Sequence, residues 1–456
     1  MKTTDLQLQV GLVVAIGIVL AIPIVLRIWR RRFDLFEPIV IFASAYGVMF
    51  VARPASMLAS NHLAYDGPQR STGVAATFSE MLMLALLGAS AFVIGYELSL
   101  GPRIAARLRG PDEHDTRRLV VAALISASVA VLAFLIFLGS SPTSTLRLIL
   151  RGRSGELNQM VQETSFYLWF SSLLLVPATL VLTAVGLHRH SKRLLFAALL
   201  LGALFLFRTV PLGDRTSLLP FLGGLIVLYY LRRGARPSLA AVVAIVAAAL
   251  LGSSFLSDLR GRDTRNESVS DTVIRAVRPD RIASPFLSGP DSEMAPVLAA
   301  ALGVIPEQLS YTYGKTVFGD LMARPIPRAL WADKPEPHRD TLIGRIWPVE
   351  AKDHKINPEF SALLYFYWDF GVLGIAFGLL LYGIAARSLF EYFNLHRYSL
   401  EAQVVYSLGL WFVVIGLRDS PVDTVVLATF MVLPAWILFR VARHKDVGAL
   451  VSASQL

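Results

Sequence analysis

The chain has 456 residues, of which 55% are apolar and only 17% charged, with a mean hydropathy of +0.57 and a formal net charge of +10. Soluble domains are about half apolar and carry about a quarter charged residues, so this balance excludes an ordinary water-soluble protein. Zero cysteines exclude a disulfide framework, thiolate chemistry and any Cys-ligated metal.

The apolar residues come in blocks ended by charge or by Pro and Gly. About 20 apolar residues cross a hydrocarbon core of about 30 Å. Eleven blocks are read as spans: residues 6–28, 36–51, 74–100, 119–138, 166–187, 194–207, 217–231, 239–256, 360–386, 400–417 and 422–439. The sixth and seventh are short. Each must be helical, because lipid offers no partner to a bare N–H or C=O. The first block is too long for a signal-peptide core and lacks a small-residue cleavage pattern, so it is expected to remain as a span. The expected fold is therefore all-α: a polytopic integral membrane helical bundle forming a single membrane domain over 1–456.

Orientation follows from Lys and Arg, which are enriched in short cytoplasmic loops. The loops at 27–32, 103–118, 188–193, 232–236, 387–397 and 440–445 hold 20 of the 43, the opposite short segments hold 9, and one long loop holds 14. Long loops do not report orientation, so the expectation is N-terminus outside and C-terminus in the cytoplasm. The long loop, 258–358, is thereby a large extracytoplasmic insertion between spans eight and nine. It contains 11 of the 24 prolines, which predicts short helices and turns over the bundle mouth. Its apolar stretch 294–305 is expected to form either a covered helix or an interfacial dip.

Arginine dominates the outward side, at Arg53, Arg147, Arg151, Arg153, Arg208, Arg215, Arg260, Arg262, Arg265, Arg275, Arg278, Arg281, Arg324, Arg328, Arg339, Arg345 and Arg418. A planar guanidinium fork suits phosphate or diphosphate. Arg215 sits in the tight turn Leu212-Gly-Asp-Arg-Thr-Ser217, where an ionisable residue at membrane depth is either functional or paired by Asp214. Arg208, at the end of span six, is read as ligand-binding or as snorkelling. A second constellation is Arg324-Pro-Ile-Pro-Arg-Ala-Leu-Trp-Ala-Asp-Lys-Pro335. Its three cations, Arg324, Arg328 and Lys334, stand with Trp331 among prolines, a stiff surface suited to a sugar ring beside a phosphate or simply to lipid headgroups. His338 follows closely; with His62 and His354 it completes the outward histidines, and it is read as a general base or a solvated loop residue. The carboxylates Asp66, Glu163, Asp258, Asp263, Glu336, Asp340, Glu359 and Asp369 could also serve. Neither metal-ligand spacing, nor a P-loop, nor a dinucleotide glycine fingerprint occurs.

Gly213-Asp-Arg215 opening a span that closes in Tyr229-Tyr230, Ile326-Pro-Arg-Ala-Leu-Trp-Ala-Asp-Lys-Pro335 in the long loop, and Tyr367-Trp-Asp-Phe-Gly-Val-Leu-Gly374 opening the next span resemble the Wzy-type O-antigen and oligosaccharide repeat-unit polymerases. Pro-Arg-x-x-Trp-x-x-Lys-Pro is the most specific element. The motif likeness runs over about Arg208 to Gly383. Tyr365 stands where many relatives carry Glu. The resemblance implies a bacterial inner-membrane enzyme that polymerises undecaprenyl-diphosphate-linked oligosaccharide units at the outer leaflet. Membrane lipid and a chain-length-regulating co-polymerase are its implied partners; no nucleic acid, cofactor or metal is expected. In that scheme Arg215, Arg328 and Arg260 offset leaving-group charge, His338 or a carboxylate accepts a proton, and Arg208, Arg324, Trp331, Lys334 and Arg418 hold substrate. The alternatives are an O-antigen ligase, a polyprenyl-phosphate-sugar-dependent transferase, and a lipid-linked glycan transporter.

Overall fold

A computed structural model describes residues 3–60, 63, 74–139, 142–151, 166–261, 278, 292–324, 326, 331, 333–348 and 358–443. In chain order the helices that matter here are α1 Asp5–Trp29, α2 Pro38–Ala59, α3 Val74–Glu97, α4 Thr116–Leu138, α5 Tyr167–His188 and α6 Lys192–Leu212. They continue with α7 at 215–233, α8 Leu239–Leu256, α9 Met294–Leu302, α10 Asp320–Ala323 and α11 His338–Ile346. The last three are α12 Ala362–Leu395, α13 Leu400–Arg418 and α14 Pro421–Val441.

Among the described residues ten of these, α1–α6, α8 and α12–α14, are long and apolar enough to cross a membrane. The chain is a multi-pass helical membrane protein. The sequence predicts eleven spans, and the seventh block is the one that falls short. It forms α7, but Pro220, Gly223, Gly224 and the tyrosine pair dilute its apolar content, and a π turn, Leu219–Gly223, interrupts it.

The packing resolves two compact units. The first comprises Met1–Ala105, Ser238–Glu391 and Phe412–Val426. Its core joins α1, α2 and α3 to the loop helix α9, all of whose residues are buried. Phe42 stacks on Phe92 with ring centroids 3.4 Å apart, and the Thr77 hydroxyl on α3 donates to the Ala299 carbonyl at 2.5 Å. The apolar stretch at 294–305 thus includes a covered helix, the first of its two predicted readings.

Helix α12 is broken at Phe370 and Gly371, whose φ of +62° lies in the left-handed region open to glycine. A straight helix would hold residues eight apart about 12 Å away from each other. Here a Cβ on Gly374 would lie 1.9 Å from the Phe366 carbonyl oxygen, and one on Gly378 would meet the Phe366 ring at 2.5 Å. The chain therefore reverses sharply, so that 362–369 packs back on 372–378. The Trp-Asp-Phe-Gly-Val-Leu-Gly motif is a helical hairpin.

The second unit comprises Ala106–Pro237, Tyr392–Trp411 and Leu427–Leu456. Asp115 caps α4 by accepting from the Arg117 and Arg118 amides. Ser191 does the same for α6 through the Leu194 amide. The missing side chain of Gly223 on α7 makes room for the Trp411 indole, and Phe205 packs on Phe221 at 4.7 Å. Asp112 ties the end of α14, accepting from Arg440 at 2.7 Å and facing Arg443 at 3.3 Å.

Candidate functional site

In the second unit, the α-helical part of α6 runs to Arg208-Thr209, and its last turn, Val210–Leu212, is 3-10 and leads to Gly213 at φ +58°. Asp214 then caps α7, accepting from the Ser217 amide at 3.2 Å and the Ser217 hydroxyl at 2.7 Å. Arg215 is the first residue of α7 and is 8% exposed. Arg208 is 2% exposed. Its guanidinium lies 4.0 Å over the Trp169 ring and its Nη2 donates to the Trp169 carbonyl at 3.2 Å. Nε and Nη1 of Arg208 are buried and, among the described residues, have no hydrogen-bond partner; Asp214 acts on the guanidinium only at longer range. A buried donor without an acceptor costs about 1–3 kcal/mol, more when charged. An anion reaching those two nitrogens would recover that energy, and the fixed fork matches two oxygens of a phosphate.

In the first unit, charged groups gather where the α13–α14 turn meets the residues preceding α12. Arg324 donates to Asp423 at 3.0 Å. Ser420 holds Asp423 in place, donating to its carboxylate at 2.8 Å and accepting from its amide at 2.9 Å. Arg418 lies 3.7 Å from Glu359 and 3.9 Å from Asp419. Arg339 donates to the Pro358 carbonyl at 2.6 Å and sits 5.6 Å from the Phe360 ring. Burial alone would lower the Arg339 guanidinium, but Glu359, with Asp423 and Asp340 adding, more than offsets this and leaves it above its ordinary value. Burial pushes the Asp419 carboxyl up to about 7; Arg418 opposes the rise, and Glu359 and Asp423 add to it.

Both oxygens of Asp320 serve His338: one stands 2.7 Å from Nδ1 and the other accepts the His338 amide at 3.1 Å. With Nδ1 donating to the carboxylate, Nε2 is left as the acceptor nitrogen. The ring meets Trp368 edge-on at 6.0 Å. It lines an open cleft of about 470 Å³ together with Lys315, Gly319, Asp320, Met322, Ala323, Ile326, Trp331 and Pro335. Lys334 is turned back on its own loop, donating to the Ile326 carbonyl at 3.0 Å and the Arg324 carbonyl at 3.4 Å.

No family model, curated protein or solved structure matches this chain.

Of the residues singled out in the sequence, Arg208 and Arg215 belong to the second unit; Arg324, Trp331, Lys334, His338 and Arg418 belong to the first. Trp331 and His338 share the cleft, and Lys334 and Arg324 share the adjoining turn. Arg328 and the side chain of Arg260 lie outside the described residues, as do Asp66, Glu163, His62 and His354. Tyr365 is fully packed at 2% exposure.

Sequence reading missed Asp320, Asp419, Asp423 and Trp169. Asp419 carries a signal that could have found it: Arg418-Asp-Ser-Pro421 is a polar break between two apolar blocks, as Gly213-Asp-Arg215 is. Asp320 is 18 residues from His338, and nothing local announces that pairing.

Proposed function

We propose that this chain is a metal-independent membrane glycosyltransferase, a polysaccharide polymerase. It joins undecaprenyl-diphosphate-linked oligosaccharide repeat units into a surface polysaccharide at the outer leaflet of the bacterial cytoplasmic membrane. The observation that carries this reading is Arg208, a buried guanidinium with two nitrogens unmatched among the described residues, near the Gly213-Asp-Arg215 turn. It supplies what a departing lipid diphosphate needs, a fixed cation away from water. The sequence resemblance supplies the substrate class, and the distribution of Lys and Arg supplies the orientation, with the 258–358 loop outside.

In the transfer, an acceptor hydroxyl oxygen bonds to the donor's anomeric carbon as that carbon's bond to the diphosphate oxygen breaks. The diphosphate leaves with the electron pair, and in the second unit Arg208 and Arg215 are the cations suited to offset its charge. The acceptor's proton goes to a base. Within the first unit, taken by itself, Asp419, raised to about 7, and His338, with Nε2 left as an acceptor, are the groups suited to accept a proton. In the same unit Arg324, Trp331 and Arg418 are suited to sugar and phosphate, while Lys334 shapes the loop that carries Arg324 and Trp331.

The glycan phenotype of a deletion strain tests this. Single repeat units should accumulate on the lipid carrier while longer chains vanish. Loss of attachment with long chains still made on the carrier would indicate a ligase. Units trapped on the cytoplasmic leaflet would indicate a transporter.

A further inference from the structure

Past the break in α12, Leu373, Phe377 and Leu381 recur every four residues and are 66%, 63% and 62% exposed. Residues 372–395 are long enough at 1.5 Å per residue to cross the hydrocarbon, so this outward row faces acyl chains. Phe370, 49% exposed, ends the row at the break.

The apolar surface does not stop there. The backbone of 312–313 is pinned to the residues just before the break, the Thr312 and Tyr313 amides donating to the Trp368 and Asp369 carbonyls at 3.0 Å each. Asp369 reinforces the attachment by accepting from the Thr312 hydroxyl and, at 3.2 Å, from the Thr316 amide. Gly314 then lies between two rings: a Cβ there would stand 3.2 Å from Phe318 and 3.4 Å from Phe370. The π turn Lys315–Gly319 leads straight into α10. Through these two turns Phe318 and Met322, four residues apart, project outward at 63% and 74% exposure, with Tyr313 at 76% beside them. An exposed ridge of this kind, continuous with a lipid-facing row and at the level of its end, fits the acyl boundary of a bilayer.

We propose that the ridge formed by Tyr313, Phe318 and Met322 is immersed in the leaflet on the loop side, anchoring the long loop in lipid. Met322 also forms a wall of the His338–Asp320 cleft. The anchor therefore places the mouth of that cleft at the membrane surface, where a lipid-borne ligand arrives from the side. The immersion itself does not depend on the chemistry proposed above, and its test uses no substrate.

The chain has no cysteine, so one introduced thiol can carry a spin label without background. Full-length variants Phe318→Cys and Met322→Cys would be labelled in liposomes. Phe377→Cys serves as the lipid reference and Glu336→Cys, in an exposed loop, as the aqueous one. Collisions with oxygen and with a water-soluble nickel chelate are then compared. The ridge positions should behave like Phe377→Cys, colliding several-fold more with oxygen than with nickel. Nickel accessibility matching Glu336→Cys would overturn the proposal. Low collision with both reagents, or dipolar broadening lost on dilution with unlabelled protein, would mean that protein covers the ridge, and would overturn it equally.

Discussion

Two arginines on the same chain, Arg27 half-buried and Arg208 buried, have opposite surroundings. In the first unit Arg27 donates Nε to both oxygens of Glu37 at 2.8 Å and pairs with Glu97 at 2.9 Å. Tyr96 donates to Glu37 at 3.0 Å, and Arg387 stands 3.6 Å from the same carboxylate while pairing with Glu391 at 2.6 Å. In the second unit Arg208 has a ring face, one carbonyl and Asp214 at longer range, and two of its nitrogens have no hydrogen-bond partner among the described residues. The first arrangement is complete and joins four helices; the second is incomplete. Removing one partner from a matched network of charges strands the others and is costly, whereas an unmatched guanidinium destabilises a packing unless a ligand supplies the acceptors. The two sites should therefore respond to substitution in opposite senses.

The largest effect is expected at the matched site. Glu37→Gln leaves Arg27 and Arg387 short of a buried carboxylate, and stability in detergent should fall by about 3–5 kcal/mol. Activity per folded molecule should be unchanged. A normal unfolding midpoint would show that the network is not a staple.

At the unmatched site the sense reverses. Arg208→Met removes a buried charge with unmatched donors, so stability should hold or rise while polymerisation is lost. Arg208→Lys, Arg215→Lys and Arg328→Lys keep the charge but lose the bidentate fork, and activity should fall at least about tenfold. Chain-length profiles of membranes carrying each variant check this. If all three lysine variants polymerise normally in stable protein, no arginine clamp operates.

Much of this architecture was legible in the sequence because lipid permits so few structures. Apolar blocks place most spans to within a few residues, the second and ninth running eight and nine residues further at their C-terminal ends, and Gly213-Asp-Arg215 marks the turn between the sixth and seventh blocks, though not the capping of the next helix by Asp214. The reversal at Phe370–Gly371 was visible as a motif but not as a hairpin, since 362–369 and 372–395 are both apolar and helical and periodicity does not register a change of direction. The seventh block is helical, but Pro220, two glycines and an arginine near each end offset its run of Leu, Ile and Val, so its mean hydropathy falls below that of the other spans. The Asp320–His338 and Arg324–Asp423 pairs join residues far apart in the chain, where composition has no reach.

The smallest effect sharpens the comparison within the first unit, where Asp419 lies between matched and unmatched. Its carboxyl is raised from 3.8 to about 7 in the folded protein, so between those values the folded state binds a proton that the unfolded state has released. Stability should fall as pH rises through that window, by at most about 1.4 kcal/mol per pH unit, and level off above it. Asp419→Asn should remove this slope. If Asp419 is also the base, the variant loses the rise of activity through neutral pH; denaturation midpoints and rates across pH 4–9 separate the two roles.

The most direct test gives purified protein in liposomes only the undecaprenyl-diphosphate-linked repeat unit, in EDTA and without nucleotide sugar. Fixed arginines can offset diphosphate charge without an ion, so a ladder of multi-repeat chains should form and grow with time. No elongation by active, folded protein, or elongation restored only by added Mg²⁺ or Mn²⁺, would contradict leaving-group stabilisation by Arg208 and its neighbours.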